Sequence, residues 1–185
     1  MKLRLSPFNI YFVACLVLLT LGLAGCASSE ESKKKKEEAV VQLYLEAEFD
    51  TGDKTQVIPV YRAAPVPIRV FKQPFLDSAS LTEAAVVDAV GGFAIVLRFD
   101  FHGILALETT STSYKGNRLA VLAEWPESRW LAAPRMTTRI TDGSIIFTPD
   151  ASREEAERIV RGLNNVAVKL GNRPKQPSKV KKEDK

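Results

Sequence analysis

Histidine and cysteine are almost missing from this chain: its 185 residues hold one His and two Cys. A single His102 with scattered carboxylates does not make a zinc ligand set, so no metal and no cofactor are expected. Glycines are few, and Gly91-Gly92 lacks the spacing of a phosphate-binding fingerprint. Charge of one sign is also missing. With 26 basic and 22 acidic residues, the formal net charge is only +4, too weak an excess to support nucleic acid as a partner.

What is present begins at the N-terminus. Lys2 and Arg4 precede a run from Tyr11 to Gly25 that carries no charge, and Leu23-Ala24-Gly25-Cys26 closes it. A basic start, an apolar stretch and small residues at a cleavage position are the layout of an export signal. Leu-Ala-Gly-Cys resembles the lipobox of bacterial lipoproteins. That resemblance implies a signal peptide over residues 1–25, cleavage before Cys26, and lipidation of its thiol and new amino group with palmitate-type chains. The alternative is an uncleaved membrane helix, because Leu5 to Gly25 is uncharged and long enough for the roughly 20 residues that span a bilayer. The small residues Gly22, Ala24 and Gly25 favour the lipoprotein. Ala27 stands where lipoproteins retained in the inner membrane commonly have Asp. The implied address is therefore the outer membrane, facing the periplasm, in a double-membraned organism. Cys15 lies inside the signal, so Cys26 is the one thiol of the processed chain and no internal disulfide can form; the fold must rest on a hydrophobic core.

Two stretches are too polar to bury surface. Residues 26–39 mix Ser, Glu and Lys33 to Lys36, and read as a lipid-anchored flexible linker. Residues 171–185 form a basic, proline-containing tail expected to be disordered; its lysines are suited to anionic lipid heads or cell-wall polymers. Between them, residues 40–170 are long enough for one domain with its own core.

Within that domain Val41, Leu43, Leu45, Ala47 and Phe49 alternate with polar partners, which predicts a half-buried strand. Asp50-Thr51-Gly52-Asp53 predicts a turn, and Thr55 to Tyr61 the returning strand of a hairpin, kept to an edge by Pro59. Ile68 to Phe71 is extended. Ser80-Leu81-Thr82-Glu83 fits a capping box and predicts a short helix to Ala89, stopped by Gly91-Gly92. Phe93 to Phe101 is the strongest strand pattern, and His102 to Tyr114 is read as helical. Arg118 to Glu124 and Arg129 to Ala133 are predicted strands. Thr137 to Thr141 and Ser144 to Thr148 flank Asp142-Gly143, a hairpin signal. Ser152 with Glu155 is a second capping box, followed by Ala156, Ile159, Val160 and Leu163 at helical spacing. Asn164-Asn165 are expected to stop that helix, with Val166 to Leu170 a closing strand. The fold class is α+β: a mostly antiparallel sheet with two main helices packed on one face.

Gly116-Asn117-Arg118-Leu119-Ala120-Val121 resembles a strand of the periplasmic head subdomain of SecD and SecDF. Leu131-Ala132-Ala133-Pro134 is similar to the strand end that follows there, Asp142-Gly143-Ser144 to its Gly-rich turn, and Ala151-Ser152-Arg153-Glu154-Glu155-Ala156 to the entry of its last helix. Phe93 to Asp100, Gly103 and Leu107 also fit. The similarity covers residues 68–165 and implies a head-like fold able to contact polypeptide. The family's transmembrane helices have no room in this chain, so no proton-driven motor is implied.

Chemistry is sparse. On a continued strand Asp100 and His102 share a face, with Ser111 or Ser113 as nucleophile candidates, but a triad is defined by geometry that spacing alone does not fix. Trp125 and Trp130 flank Pro126-Glu127-Ser128-Arg129 at a hairpin tip. Trp125, Arg129 and Trp130 are a candidate binding tip; the alternative is that both indoles fold back on the sheet. The reading is a lipid-anchored, non-enzymatic envelope module that binds membrane through its anchor and contacts polypeptide or envelope proteins. The alternatives are a small envelope hydrolase, or a structural lipoprotein holding cell-wall or lipid anions.

Overall fold

In the computed structural model of the chain, the described residues are Lys34 and residues 37–173. Cys26, the signal and most of the linker and tail lie outside them. The described part is α+β and every strand pair is antiparallel.

Among the described residues, nine strands form three sheets. β1 (Val40–Leu45), β4 (Leu76–Asp77), β7 (Leu119–Glu124) and β8 (Ser128–Ala132) make a four-stranded sheet in the order β4-β1-β7-β8. β5 (Leu81–Ala89), β6 (Gly92–Phe99) and β9 (Ser144–Phe147) make a second sheet, and β2 (Thr55–Val60) with β3 (Val66–Phe71) a separate ribbon. Packed with these sheets are α1 (Phe101–Ser113) and α2 (Arg153–Leu170).

Alternation along β1 feeds two cores. Val41, Leu43 and Leu45 join the main core with Leu97, Phe99, Leu107, Ile159 and Leu163, so residues of both helices share it. Tyr44, on the opposite face, packs with Ile58, Val60, Ile68 and Val70 of the ribbon, together with Ala120 and Ala133. The four-stranded sheet is thus covered on both sides, which explains why β7 is apolar nearly throughout. Phe49 does not continue the buried face; it is 76% exposed beyond the strand.

Several expected elements are corrected. β2 does not return along β1. It pairs with β3, placing Pro59 opposite Pro67, where neither position can donate to the ladder. The helix expected after Ser80 is strand β5. A bulge between Leu81 and Glu83 shifts the register, so the inward residues Leu81 and Ala84 fall three apart and mimic helical spacing. Gly91, at φ 83°, makes the β5–β6 turn. Phe101 is 74% exposed at the start of α1, because Asp100 caps that helix on the Gly103 amide. Gly103 is required there, since a Cβ would meet Phe99 Cβ at 2.4 Å. The hairpin expected at Asp142-Gly143 does not form. Residues 137–141 instead lie along α1, with the Ile140 amide donating to Ser111 Oγ (2.9 Å) and Arg139 paired with Glu108, and β9 pairs with β6.

α2 runs past the asparagines, and the closing strand is its last turn and a half. Asn164 accepts from the Ala84 amide (2.9 Å) and donates to the Ala84 carbonyl (2.8 Å), pairing with β5 as a neighbouring strand would. Asn165 donates to the Glu37 carbonyl (2.8 Å). Apolar spacing continues to the buried Ala167, and Gly171 ends the helix at φ 83°. The last residues of the expected linker belong to the domain. Glu37 bridges Arg158 and Arg161 at 3.2 and 2.8 Å, and Ala39 is buried against Gly162, where a Cβ would come within 2.8 Å of it. Among the described residues, no helix is long and apolar enough to cross a membrane.

Candidate functional site

The β7–β8 turn projects Pro126, Glu127 and Ser128 into solvent, closed by the Trp125 amide donating to the Glu127 carbonyl at 3.1 Å. Both indoles beside it are half-buried. Trp125 packs on the main core and carries the Arg158 guanidinium over its ring at 4.6 Å. Trp130 packs on the ribbon core, its ring edge-on to Tyr44 at 5.1 Å and 70°. Each indole therefore has a core-facing side and an accessible side. Burial raises the pKa of the Tyr44 hydroxyl, and the charge of Glu124 adds to that shift.

Arg129 is drawn inward, donating from Nη1 to Glu155 Oε1 at 3.3 Å. The other carboxylate oxygen takes the Arg62 Nη2 at 3.3 Å and the Ser152 amide at 2.9 Å. Arg62 comes from the β2–β3 turn, and its amide donates to Asp150 Oδ2 at 2.7 Å. The N3 glutamate of the α2 capping box thus also ties the ribbon turn to the tip. The Ser152 amide is the main reason the Glu155 carboxyl sits below its usual range; partial desolvation opposes it, and the charges of Arg129 and Arg62 add to it.

Two adjoining hollows flank this cluster. One, of about 410 Å³, is lined by Arg62, Trp125, Pro126, Glu127, Ser128, Arg129 and Glu155. The other, of about 270 Å³, is lined by Pro59, Tyr61, Pro65 and Trp130, and shares Arg62, Ser128 and Arg129 with the first. Tyr61 is held at φ 71° although it is not glycine. A residue kept in a sparsely populated region is held there by its surroundings, and such residues gather at binding sites. The three tip residues Trp125, Arg129 and Trp130 therefore lie together. The sequence reading missed Arg62, Asp150 and Tyr61, and gave Glu155 a capping role only. The Pro59, Pro65, Pro67 cluster around Tyr61-Arg62 is the local signal that a shaped turn lies there.

The other sequence candidates are dispersed. Ser80 Oγ lies 3.2 Å from His102 Nδ1, but the Asp100 carboxylate accepts from the Gly103 amide at 2.9 Å as the α1 cap. Ser111 is buried between the Ile140 amide and the Glu108 carbonyl. Asp100, His102 and Ser111 do not assemble into a relay. Among the described residues, no group of three or more His, Cys, Asp or Glu is placed to hold a metal ion. Cys26 lies outside the described residues.

Solved structures of SecDF share this fold. One, of SecDF described as a membrane component that enhances protein export, aligns over 76% of this chain and 69% of that one, with a TM-score of 0.53 and 20% identity. Another, of SecDF in a super-membrane-facing form, aligns over 76% of this chain with a TM-score of 0.54 and 20% identity. This chain spans about a fifth of the length of that second one, at 21%. No family model and no curated protein matches the sequence. At this identity the likeness is one of fold: the domain is SecD/SecDF-head-like.

Proposed function

We propose, from the head-like fold as premise, that this chain is a lipid-anchored accessory module of the bacterial envelope. In this reading it contacts polypeptide or an envelope protein through the tip and has no catalytic role. The observation that carries it is the pair of adjoining hollows across Arg62, Ser128 and Arg129. Each is walled by one indole, so side chains of a single extended segment could enter both. Half-buried aromatics with an accessible face, beside arginines already held in place, are the usual anchors of a binding surface. The Leu-Ala-Gly-Cys stretch supports anchorage at Cys26, and Ala27 supports the outer membrane facing the periplasm.

A photo-crosslinking residue at Ser128, between the hollows, tests the tip in the full-length chain within intact cells. Crosslinks to an exported polypeptide or envelope protein are expected from Ser128 and not from Lys54, which is exposed in another turn. Equal yields from both sites would remove the tip as a binding surface. Fatty-acid labelling tests the anchor: Cys26→Ser should abolish incorporation, and equal labelling of the variant would overturn lipidation there. Membrane fractionation tests the address, which recovery solely with inner-membrane markers would exclude.

A further inference from the structure

The segment that leads into β1 is clamped along one face of α2. Arg158, Arg161, Gly162, Asn165 and Lys169 follow one another at helical spacing and share that face. Glu37 Oε1 accepts from Arg158 Nε at 3.2 Å, and Oε2 accepts from Arg161 Nη1 at 2.8 Å. The Glu37 carbonyl accepts from Asn165 Nδ2 at 2.8 Å, and Glu38 pairs with Lys169. Ala39 lies on Gly162, where a Cβ would meet the Ala39 amide nitrogen at 2.8 Å. Glycine inside a helix weakens it relative to alanine; here the close approach of residues 37–39 requires one.

Arg158 joins this clamp to the tip. Its guanidinium lies over the Trp125 ring, 4.6 Å from the centroid. Trp125 walls the larger hollow, whereas Arg158 does not line it. Arg158 therefore acts on the hollow through the indole. Among the described residues, Glu37 is the one carboxylate paired with Arg158. An arginine side chain without such a partner samples many rotamers at a surface. The Glu37 side chain is itself only 16% exposed. Held at Nε, the planar guanidinium is fixed in place. The Trp125 ring is thus held by the main core and by a cation that Glu37 keeps on it.

We infer that Glu37 is a positioning residue of the tip: through Arg158 it sets the Trp125 wall of the larger hollow. The chain arriving from the N-terminal side is thereby joined to the tip by one carboxylate, and losing that contact loosens the indole and weakens capture there. The effect on capture rests on the tip being the polypeptide-binding surface proposed above. The effect on Trp125 does not.

The first measurement needs no partner. In the full chain carrying Trp130→Phe, Trp125 is the one tryptophan, and acrylamide quenching of its fluorescence reads its exposure. Glu37→Gln keeps the size of the side chain and removes its charge; quenching should rise, as it should with Arg158→Gln. In the double variant the Glu37 change should add nothing to the Arg158 change, because both act on one contact. Arg161→Gln removes the other arm of the Glu37 bridge and should leave quenching at the parent value. The second measurement is Ser128 crosslinking in intact cells, with both tryptophans present. Glu37→Gln should lower the yield about two- to fivefold, the equivalent of one exposed cation–π contact, with circular dichroism unchanged. Arg161→Gln should not lower it. Unchanged quenching in Glu37→Gln, additive effects of the Glu37 and Arg158 changes, or an equal loss in Arg161→Gln would each overturn the inference. Absence of Ser128 crosslinks from the parent chain would instead remove the tip as a binding surface, and the quenching result would still decide the role of Glu37.

Discussion

Ser80 and Ser152 each precede a glutamate by three residues, and the two segments use that pair differently. Ser152 Oγ accepts from the Glu155 amide, and Glu155 returns a bond to the Ser152 amide, so α2 begins there. Ser80 turns instead to His102, and Glu83 sits in strand β5 paired across the sheet with Arg98 at 2.8 Å. A cap contributes about 1 kcal/mol, whereas burying one large apolar side chain contributes about 1.5–3 kcal/mol. After Ser152, the apolar positions 156, 159, 160, 163 and 167 form one buried stripe. After Ser80, Leu81 and Ala84 are buried through a bulge and a paired strand. Burial outweighs the cap wherever the two disagree.

That comparison can be broken most forcefully at its apolar end. Leu163, fully buried beneath α2, should cost about 2–5 kcal/mol when replaced by Ala. A urea melt reads the loss, and a cost below about 1 kcal/mol would show that α2 does not depend on this stripe. The two segments meet at Asn164. Asn164→Ala strips both partners from the Ala84 backbone, and should cost about 1–3 kcal/mol; amide exchange at Ala84 should rise selectively. If it does not, β5 holds its edge without the helix.

The serines themselves should differ. Ser152→Ala should destabilise by about 1 kcal/mol as a lost cap, while Ser80→Ala should cost about 0.5 kcal/mol or less, since it loses one bond to an exposed imidazole. Equal losses would mean that Ser80 has a larger part in the fold than its contacts indicate. The smallest effect is in pH. Because the folded Glu155 carboxyl lies below its usual value of 4.5, its contribution is complete above that value and is lost as pH falls through the lower, folded one. Glu155→Gln should therefore lower stability near neutral pH and flatten the acid limb of the stability curve, the difference from the parent chain vanishing at low pH; an unchanged limb would assign acid sensitivity to other carboxylates such as Asp142, whose carboxyl is lowered chiefly by the Ser144 hydroxyl.

The legible parts of the domain are those where one short-range pattern coincides with the final burial. β1, β6 and the first three turns of α2 are of this kind: alternation or helical spacing there matches the buried face, whereas β7 is legible as an almost unbroken apolar run. The candidate tip was legible only in part. Trp125, Arg129 and Trp130 are neighbours along the chain, but Arg62 reaches them from 67 positions before Arg129 through an ion pair on Glu155. No local pattern announces such a meeting.

From the sequence alone follow the α+β class, the two main helices, the second capping box, and the ordered pieces that resemble the SecD/SecDF head. Each is set by interactions within a few residues or by the period of apolar side chains. Tertiary structure decided which strand β2 joins, that Leu81–Ala89 is extended, that α2 continues through Asn164 and Asn165, and that the ribbon turn closes against the tip. These outcomes depend on partners distant in the chain. An asparagine amide that would end an isolated helix finds a strand backbone to bond, and a bulge lets a helical spacing bury as a sheet. Such partners exist only once the core has formed around them.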